Sequence, residues 1–364
     1  MTAPRAIPKL KVVVIGGGQA GLSAGHYLQA AGLAGDRDFT ILDRAPGPGG
    51  AWQFRWPSLT LSTVNGVHDL PGGLSLAEVA PPAAAGEVRA SEAIPRYFGA
   101  YEDRHRLPVH RPVTVRSVTR QGRRFRLETD RGPLAAEGII NATGTWDAPN
   151  RPAYPGAGRF RGRQIHARDY RTADSFAGQA VIVVGAGISA VQILEEISRV
   201  AQVTWVSRSQ PLFHEGPFTP AHGRAAVARV ERRVRAGLPP GSLVSATGLP
   251  PSPAIAAARA RGILVPQPMF ERLTEDGVAW PDGRRQRADA IVWATGFGNA
   301  LDHLAPLGLV NDRGGIEMTG RLATQVAAEP RLHLVGYGPS ASTIGATRAG
   351  RAAVEELLRR LAAD

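Results

Sequence analysis

Cysteine is absent from this chain of 364 residues. Thiol–disulfide exchange, thiolate metal sites and cysteine-based peroxide chemistry all need a thiolate from the protein, so the sequence excludes them. Any redox chemistry must therefore use a cofactor. Lysine is nearly absent as well, because only Lys9 and Lys11 occur, and the formal charge of +12 comes almost wholly from arginine. A basic chain of this kind suits a phosphate-rich ligand, and we expect no nucleic-acid partner.

Long apolar runs are also missing. The uncharged stretch over residues 177–194 is interrupted by glycines and glutamines, so we expect no transmembrane helix. The apolar run over 11–15 begins too near the N-terminus to leave room for a secretory signal, and a cytoplasmic location is the expectation. No cluster of side chains suggests a metal site. The length, with 43% hydrophobic residues, suffices for two domains.

The first 43 residues contain the pattern of a βαβ unit. Val12–Ile15 predicts a buried strand, residues 16–21 follow the spacing G-x-G-x-x-G, and a helix is predicted over 22–31 before the strand Phe39–Leu42. Glycines at this spacing let the backbone approach a pyrophosphate, which then lies at the helix N-terminus. Asp43 ends the second strand, where a carboxylate accepts hydrogen bonds from a ribose diol. This order of elements predicts a dinucleotide site.

The same pattern recurs in the second half of the chain. Val181–Val184 predicts a strand, residues 185–190 follow G-x-G-x-x-A, a helix is predicted over 191–199, and Val203–Val206 predicts the next strand. The second strand ends in Ser207-Arg208-Ser209 instead of an acid. A guanidinium beside a hydroxyl suits a ribose 2′-phosphate, so the second nucleotide is predicted to be NADPH. The alternative is that Arg208 is one more solvated arginine.

Each copy ends in an apolar strand that runs into Ala-Thr-Gly, at residues 142–144 and 294–296. A hairpin is predicted before each, the first pairing residues 113–118 with 125–129 and the second turning at 281–283. A linker is predicted near residues 297–299, and the 65 residues after it are too few for a third domain. We expect them to return to the first domain with a strand at 333–336 and a helix over 344–361. Two nucleotide domains in one chain indicate electron transfer between cofactors.

An arginine-rich segment over residues 224–235 places Val227, Val230 and Val234 at the spacing of one helical face. We expect this helix to pack on the second domain with its arginines in water. The alternative is that the arginines steer NADPH or a partner protein.

These motifs resemble the flavin-containing monooxygenases, in particular the short bacterial type of these class B flavoprotein monooxygenases. The likeness covers most of the chain and includes residues 49–52, Gly-Gly-Ala-Trp. Residues 160–170 fit the identifying motif of that family, F-x-G-x-x-x-H-x-x-x-Y, at all four fixed positions. The resemblance implies an α/β fold with two Rossmann-like dinucleotide-binding domains. In this arrangement an NADPH domain (149–292) is inserted in an FAD domain made of residues 1–148 and a return segment, 293–364.

The resemblance further implies that NADPH reduces FAD, that oxygen forms a carbon-4a (hydro)peroxyflavin, and that this species oxygenates a small soft nucleophile. Relatives that perform Baeyer–Villiger oxidation usually carry Trp where this chain has Tyr170, so a sulfide or amine is favoured over a ketone. Asn65 resembles a catalytic asparagine of the family, although Asn-Gly is also an ordinary turn signal. His166 is the second catalytic candidate, and its alternative role is to bond backbone and hold the domains in place.

The predicted cofactor-binding residues follow from the glycine turns, the strand ends, the linkers and the C-terminal segment. For FAD and NADPH together they are Gly16, Gly18, Gln19, Ala20, Gly21, Asp43, Arg44, Gly50, Trp52, Val113, Thr143, Gly144, Gly185, Gly187, Ile188, Ser189, Arg208, Ser209, Thr295, Gly296, Gly338 and Ile344.

Three functions remain open from the sequence. The first is the monooxygenase, with molecular oxygen and a small-molecule substrate as its partners. The second is an FAD-dependent NADPH reductase that passes electrons to a quinone or a protein acceptor. The third is a redox-regulatory flavoprotein with little turnover. Assembly into a homodimer is left open.

Overall fold

The computed structural model describes residues 7–64, 66–81, 88–214, 220–241 and 248–363. The α-helices in these ranges are α1 (Gln19–Ala30), α2 (Leu76–Val79), α3 (Ala90–His105), α4 (Ile188–Ile197), α5 (Pro220–Arg235), α6 (Pro253–Ala260) and α7 (Thr343–Ala363). The strands are β1 (Lys9–Ile15), β2 (Phe39–Leu42), β3 (Val109–His110), β4 (Val115–Gln121), β5 (Arg124–Thr129), β6 (Leu134–Asn141), β7 (Arg163–His166), β8 (Ala180–Val184), β9 (Gln202–Val206), β10 (Arg272–Leu273), β11 (Gly277–Ala279), β12 (Arg285–Arg287), β13 (Ala290–Trp293), β14 (Met318–Thr319), β15 (Gln325–Val326) and β16 (Glu329–Leu334).

The largest sheet has the strand order β14-β15-β16-β6-β1-β2-β3, with β5 also paired to β6 and β4 to β5. Its centre, from β16 to β3, is parallel, and the outer pairings are antiparallel. Alternate residues of β1 enter two different cores, because Val12 and Val14 pack with α1 and α7 while Val13 and Ile15 pack on the opposite face. Burial on both faces explains why this strand is a continuous apolar run.

A second sheet is wholly parallel, with the order β7-β13-β8-β9. Its strands all lie, along the chain, between β6 and β14 of the first sheet. The residues of β8 again divide between two cores, with Val181 and Val183 on one face and Ile182 and Val184 on the other. A small antiparallel sheet, β10-β11-β12, lies between β9 and β13 in the sequence.

The predicted α/β fold with two dinucleotide-binding units is confirmed, and so are both hairpins, β4–β5 and β11–β12. The strand β2 has the predicted bounds. Both helices that follow the glycine turns begin three residues earlier than predicted, at Gln19 and Ile188. The reason is that Gly18 and Gly187 are the N-cap residues, so the last residue of each glycine motif already lies in the first helical turn.

The arginine-rich helix α5 packs differently from the prediction. Val234 is fully buried in the core under the first sheet, together with Met318 and Tyr337 of the return segment. Arg235 Nη2 also donates a hydrogen bond to the Gly320 carbonyl oxygen at 2.8 Å. The expectation that this helix packs on the second domain is therefore wrong. Periodicity identifies the buried face of a helix, but it carries no information about which distant segment covers that face.

A carboxylate on α4 joins the two halves of the molecule. Glu196 accepts hydrogen bonds from Trp56 Nε1 at 3.2 Å, from Ser58 Oγ at 2.8 Å and from the Tyr170 hydroxyl at 2.8 Å. Trp56 and Tyr170 are almost fully buried and meet edge to face, with ring centroids 5.8 Å apart. Burial also raises the pKa of the Tyr170 hydroxyl, which therefore stays protonated and donates to Glu196. Within the described residues, no helix is long and apolar enough to cross a membrane.

Candidate functional site

The first glycine turn shows why each of its glycines is needed. Gly16 has φ of +106°, and a Cβ there would lie 2.5 Å from the Ala142 carbonyl oxygen. A Cβ at Gly21 would lie 1.8 Å from the Gly16 carbonyl oxygen, so α1 packs on the turn only without a side chain. Gly18 is different, because the nearest atom to its Cβ would be Gly50 Cα at 3.9 Å. The space in front of the α1 N-terminus is thus open, as a bound pyrophosphate requires.

Asp43 directly follows β2, beside this turn, and is almost fully buried. Arg111 holds it in place, because its Nε donates a hydrogen bond to Asp43 Oδ2 at 2.8 Å. The guanidinium is fixed in turn by Glu102, since Nη1 donates to Oε2 at 2.6 Å and Nη2 to Oε1 at 2.7 Å. Burial raises the pKa of Glu102, although its pairing with Arg111 opposes that effect. Asp43 Oδ1 accepts a single, longer bond from the Ala45 amide, at 3.3 Å. This oxygen retains the capacity to accept a hydrogen bond from a ribose hydroxyl.

Arg111 was not predicted from the sequence. It becomes a neighbour of Asp43 because β3 pairs in parallel with β2, with Leu42 opposite His110. No local signal reports that pairing, since 68 positions separate the two side chains.

Other residues predicted to bind FAD surround the same turn. Gly50 faces Gly18 so closely that a Cβ on Gly50 would lie 3.0 Å from Gly18 Cα. The Val113 amide donates to the Asp43 carbonyl oxygen at 2.8 Å. Arg44 is half-exposed and forms an ion pair with Asp147 in the first linker. Trp52 lies in the 3-10 helix Gly50–Phe54 and packs against the first core.

The start of α1 also contacts the C-terminal helix. Gln19 Nε2 donates to the His68 carbonyl oxygen at 3.0 Å and to Thr347 Oγ1 at 3.1 Å. Ala20 is buried in the core between the two helices. Ile344 lies in the first turn of α7, and Gly338, with φ of +55°, lies against Val234 of α5.

The second glycine turn repeats the geometry of the first. Gly185 has φ of +139°, and a Cβ there would lie 2.2 Å from the Ala294 carbonyl oxygen. Gly187, the N-cap of α4, has no atom near the position that a Cβ would take, and Ile188 and Ser189 form the first turn of the helix. The space at this N-terminus is also open for a pyrophosphate.

Arg208 and Ser209 follow β9 at the place that Asp43 takes after β2. Both are exposed, and Ser207 Oγ donates to the Ser209 carbonyl oxygen at 2.7 Å, which shapes the turn. Among the described residues, ion pairs are formed by Arg199 and then by Arg235 along the chain, and none is formed by the Arg208 guanidinium. A free guanidinium at this position fits a 2′-phosphate.

The threonines of both Ala-Thr-Gly linkers bond backbone of the protein. Thr143 Oγ1 donates to the Ala300 carbonyl oxygen at 2.7 Å, and Thr295 Oγ1 donates to the Asn150 carbonyl oxygen. The glycines that follow have positive φ, +63° at Gly144 and +76° at Gly296. The threonine of each linker therefore donates a hydrogen bond to the backbone that follows the other linker.

His166 is fully buried where β7 ends. Its Nδ1 accepts from the Arg168 amide at 3.0 Å, so Nε2 carries the proton and donates to the Gly296 carbonyl oxygen at 3.0 Å. Burial lowers the pKa of the imidazole, which is therefore neutral at physiological pH. Both ring nitrogens are engaged with backbone, an arrangement that favours the structural alternative for this residue. Asn65 lies outside the described residues, and its catalytic role stays a prediction.

Comparison with known proteins decides the family. The family model described as pyridine nucleotide-disulphide oxidoreductase matches residues 13–221. A flavin-containing monooxygenase from Stenotrophomonas maltophilia has a similar structure, with a TM-score of 0.81 and 35% identity over 97% of this chain and 99% of that one.

The chain belongs to the pyridine nucleotide-disulphide oxidoreductases. Within them it is a flavin monooxygenase, and FAD and NADPH are the cofactors that these enzymes use. The resemblance drawn from the sequence is thus confirmed. Disulphide chemistry with a cysteine pair of its own is excluded, because this oxidoreductase has no cysteine.

Two curated relatives show how far the likeness extends. An uncharacterized oxidoreductase, CzcO, from Bacillus subtilis is 26% identical over 89% of this chain and 90% of its own length. A Baeyer-Villiger monooxygenase from Streptomyces coelicolor is 30% identical over 55% of this chain, but the match spans only 38% of that longer protein.

The open space at Gly18 leads to a first prediction. We expect Gly18→Ala to fold normally, because its φ of −86° suits alanine, but to place a methyl group where the pyrophosphate must lie. FAD affinity should fall about 10-fold or more, equivalent to about 1.4 kcal/mol. Flavin content and the dissociation constant for FAD are the measurements. Gly47→Ala is the control, since a Cβ there would also meet open space. Unchanged FAD affinity in Gly18→Ala would place the cofactor elsewhere.

The exposed Arg208 leads to a second prediction. Arg208→Ala should raise the KM for NADPH by about 10- to 100-fold, the value of a charge-assisted pair, and leave the KM for NADH nearly unchanged. High salt should also reduce the preference of the wild-type enzyme for NADPH over NADH, because it screens the pair between Arg208 and the 2′-phosphate. Arg232→Ala, which removes an exposed arginine of α5, is the control. A variant that weakens both coenzymes equally, or a wild type without preference, contradicts the assignment.

Proposed function

We propose that this flavin monooxygenase uses FAD and NADPH to oxygenate a small soft nucleophile, a sulfide or an amine, between its two dinucleotide-binding domains. The observation that carries the proposal is the duplicated turn geometry. Each glycine turn lies against an Ala-Thr-Gly linker, and each leaves the N-terminus of its helix open. Two nucleotides in one chain suit a reaction in which one cofactor reduces the other.

The proposed division into domains assigns residues 1–148 and 293–364 to FAD and 149–292 to NADPH. Strand order supports it, because β7, β8, β9 and β13 form their own sheet while β14–β16 return to the first. Helix α5 departs from this division, since it lies within the second range but packs on the return segment. In this proposal the helix would therefore connect the NADPH domain to the FAD domain through its contact with the return segment.

In this proposal Gly16, Gly18, Gly21 and Asp43 hold FAD, and the turn at 185–190 with Arg208 holds NADPH. Bound FAD supplies hydride acceptance from NADPH and oxygen activation at flavin carbon 4a. The protein places the two nucleotides and excludes water from the space between them. His166 acts as a positioning residue, because its bond to Gly296 ties β7 to the second linker.

The preference for a sulfide or amine over a ketone rests on Tyr170. Its hydroxyl is buried and donates to Glu196, so the tyrosine is part of the contact between the domains.

The test is oxygen uptake by the FAD-loaded protein with NADPH, in the presence of methyl phenyl sulfide, a tertiary amine or a cyclic ketone. We expect the sulfide or the amine to stimulate oxygen consumption and to yield one oxygenated product per NADPH oxidised. A control without substrate measures unproductive oxidation. If a quinone stimulates NADPH oxidation while none of the three compounds is oxygenated, the protein is a reductase. If nothing stimulates turnover, the regulatory interpretation takes its place.

A further inference from the structure

Arg55 carries a charge that the described part of the protein does not neutralise. It follows the 3-10 helix Gly50–Phe54, and its buried Nε has no hydrogen-bond partner. No carboxylate in the described ranges forms an ion pair with it. Desolvation is the cause that lowers the pKa of its guanidinium to about 10, so the group is still positively charged at neutral pH.

The Arg55 side chain is held by aromatic rings. Its guanidinium carbon lies 4.6 Å from the ring centroid of Trp146 and 5.8 Å from that of Trp52. Trp146 in turn stacks on Phe54, at 6.1 Å and 9°, and on Phe297, at 5.3 Å and 24°. Cation–π contacts attract and orient a guanidinium, but they leave its N–H donors unused.

A second arginine on the same ring shows the contrast. The guanidinium carbon of Arg168 lies 5.7 Å from the Trp146 centroid, and its Nη2 donates to Asp147 Oδ1 at 3.3 Å. Arg168 therefore has a carboxylate partner in the protein, which it shares with Arg44. Arg55, which is more deeply desolvated, has no such partner within the described residues.

The position of this guanidinium suggests what it binds. Trp146 follows Gly144 of the first linker by two residues, and Phe297 directly follows Gly296 of the second. Arg55 thus lies where the two linkers meet, at the junction of the two domains. A desolvated cation without a counter-ion is costly, and an incoming anion would offset that cost.

We propose that Arg55 binds an anionic group, a phosphate or a carboxylate, of the ligand that enters between the two dinucleotide-binding domains. The guanidinium offers a fork of N–H donors that matches either anion. The coenzyme pyrophosphate is one source of such a group. A carboxylate on the substrate is the other, and this second source rests on the function proposed above.

The experiment replaces Arg55 by methionine, which keeps much of the aliphatic stem on Trp146 and removes the charge. Calorimetry on the FAD-loaded protein measures the dissociation constants of NADP⁺, of methyl phenyl sulfide and of the same sulfide with a ring carboxylate. Loss of a charge-assisted pair should weaken one anionic ligand by about 10- to 100-fold. A loss for NADP⁺ identifies the coenzyme as the source, and a loss confined to the carboxylated sulfide identifies the substrate.

Arg168→Met is the matched control, because that arginine lies on the same ring but is already paired, and it should leave both anions unaffected. The thermal midpoint of Arg55→Met without added ligands should not fall, since an unpaired buried charge has been removed. Unchanged binding of NADP⁺ and of the carboxylated sulfide overturns the proposal. Equal weakening of the neutral sulfide, with a lower thermal midpoint, also overturns it and makes Arg55 a structural residue. Calorimetry needs no turnover, so failure of the proposed reaction leaves this test valid.

Discussion

In each half of the chain, the first glycine of a dinucleotide turn lies against the carbonyl oxygen of an alanine in an Ala-Thr-Gly linker. A side chain would approach that oxygen to 2.5 Å at Gly16 and 2.2 Å at Gly185, and both glycines have positive φ. Only glycine satisfies both conditions. The contact lies where β1 pairs with β6 and where β8 pairs with β13. The helices that follow the two turns, α1 and α4, therefore begin next to the linkers. The open space at each helix start follows from this arrangement.

The same contact explains why the two halves act as one molecule. Because each linker is fixed to a glycine turn, the residues just beyond the linkers are brought together, and Trp146 stacks on Phe297. His166 forms a hydrogen bond to the second linker, and Glu196 accepts hydrogen bonds from three side chains in loops of both halves. At this junction His166 is neutral, Glu196 accepts three hydrogen bonds and Arg168 pairs with Asp147. Among the described residues on the Trp146 ring, Arg55 is the arginine that has no carboxylate partner.

Local patterns predicted the elements of the fold well, because strand runs, glycine turns and hairpin turns are encoded within about 30 residues. The duplicated motif also predicted two dinucleotide-binding units, and the resemblance of residues 49–52 and 160–170 predicted the family. Contacts between distant segments could not be predicted in this way. Arg111 reaches Asp43 only through the pairing of β2 with β3, and α5 covers the return segment instead of the second sheet. The shared acceptor Glu196 likewise depends on how loops of both halves meet, which periodicity does not report.

The central claim is that the two turns hold two different nucleotides that exchange electrons within one chain. Anaerobic titration of the purified protein with NADPH, followed by flavin absorbance, tests it most directly. The account predicts one FAD per chain, fully bleached by one equivalent of NADPH. Two flavins per chain, or a bound flavin that NADPH leaves oxidised, would contradict it.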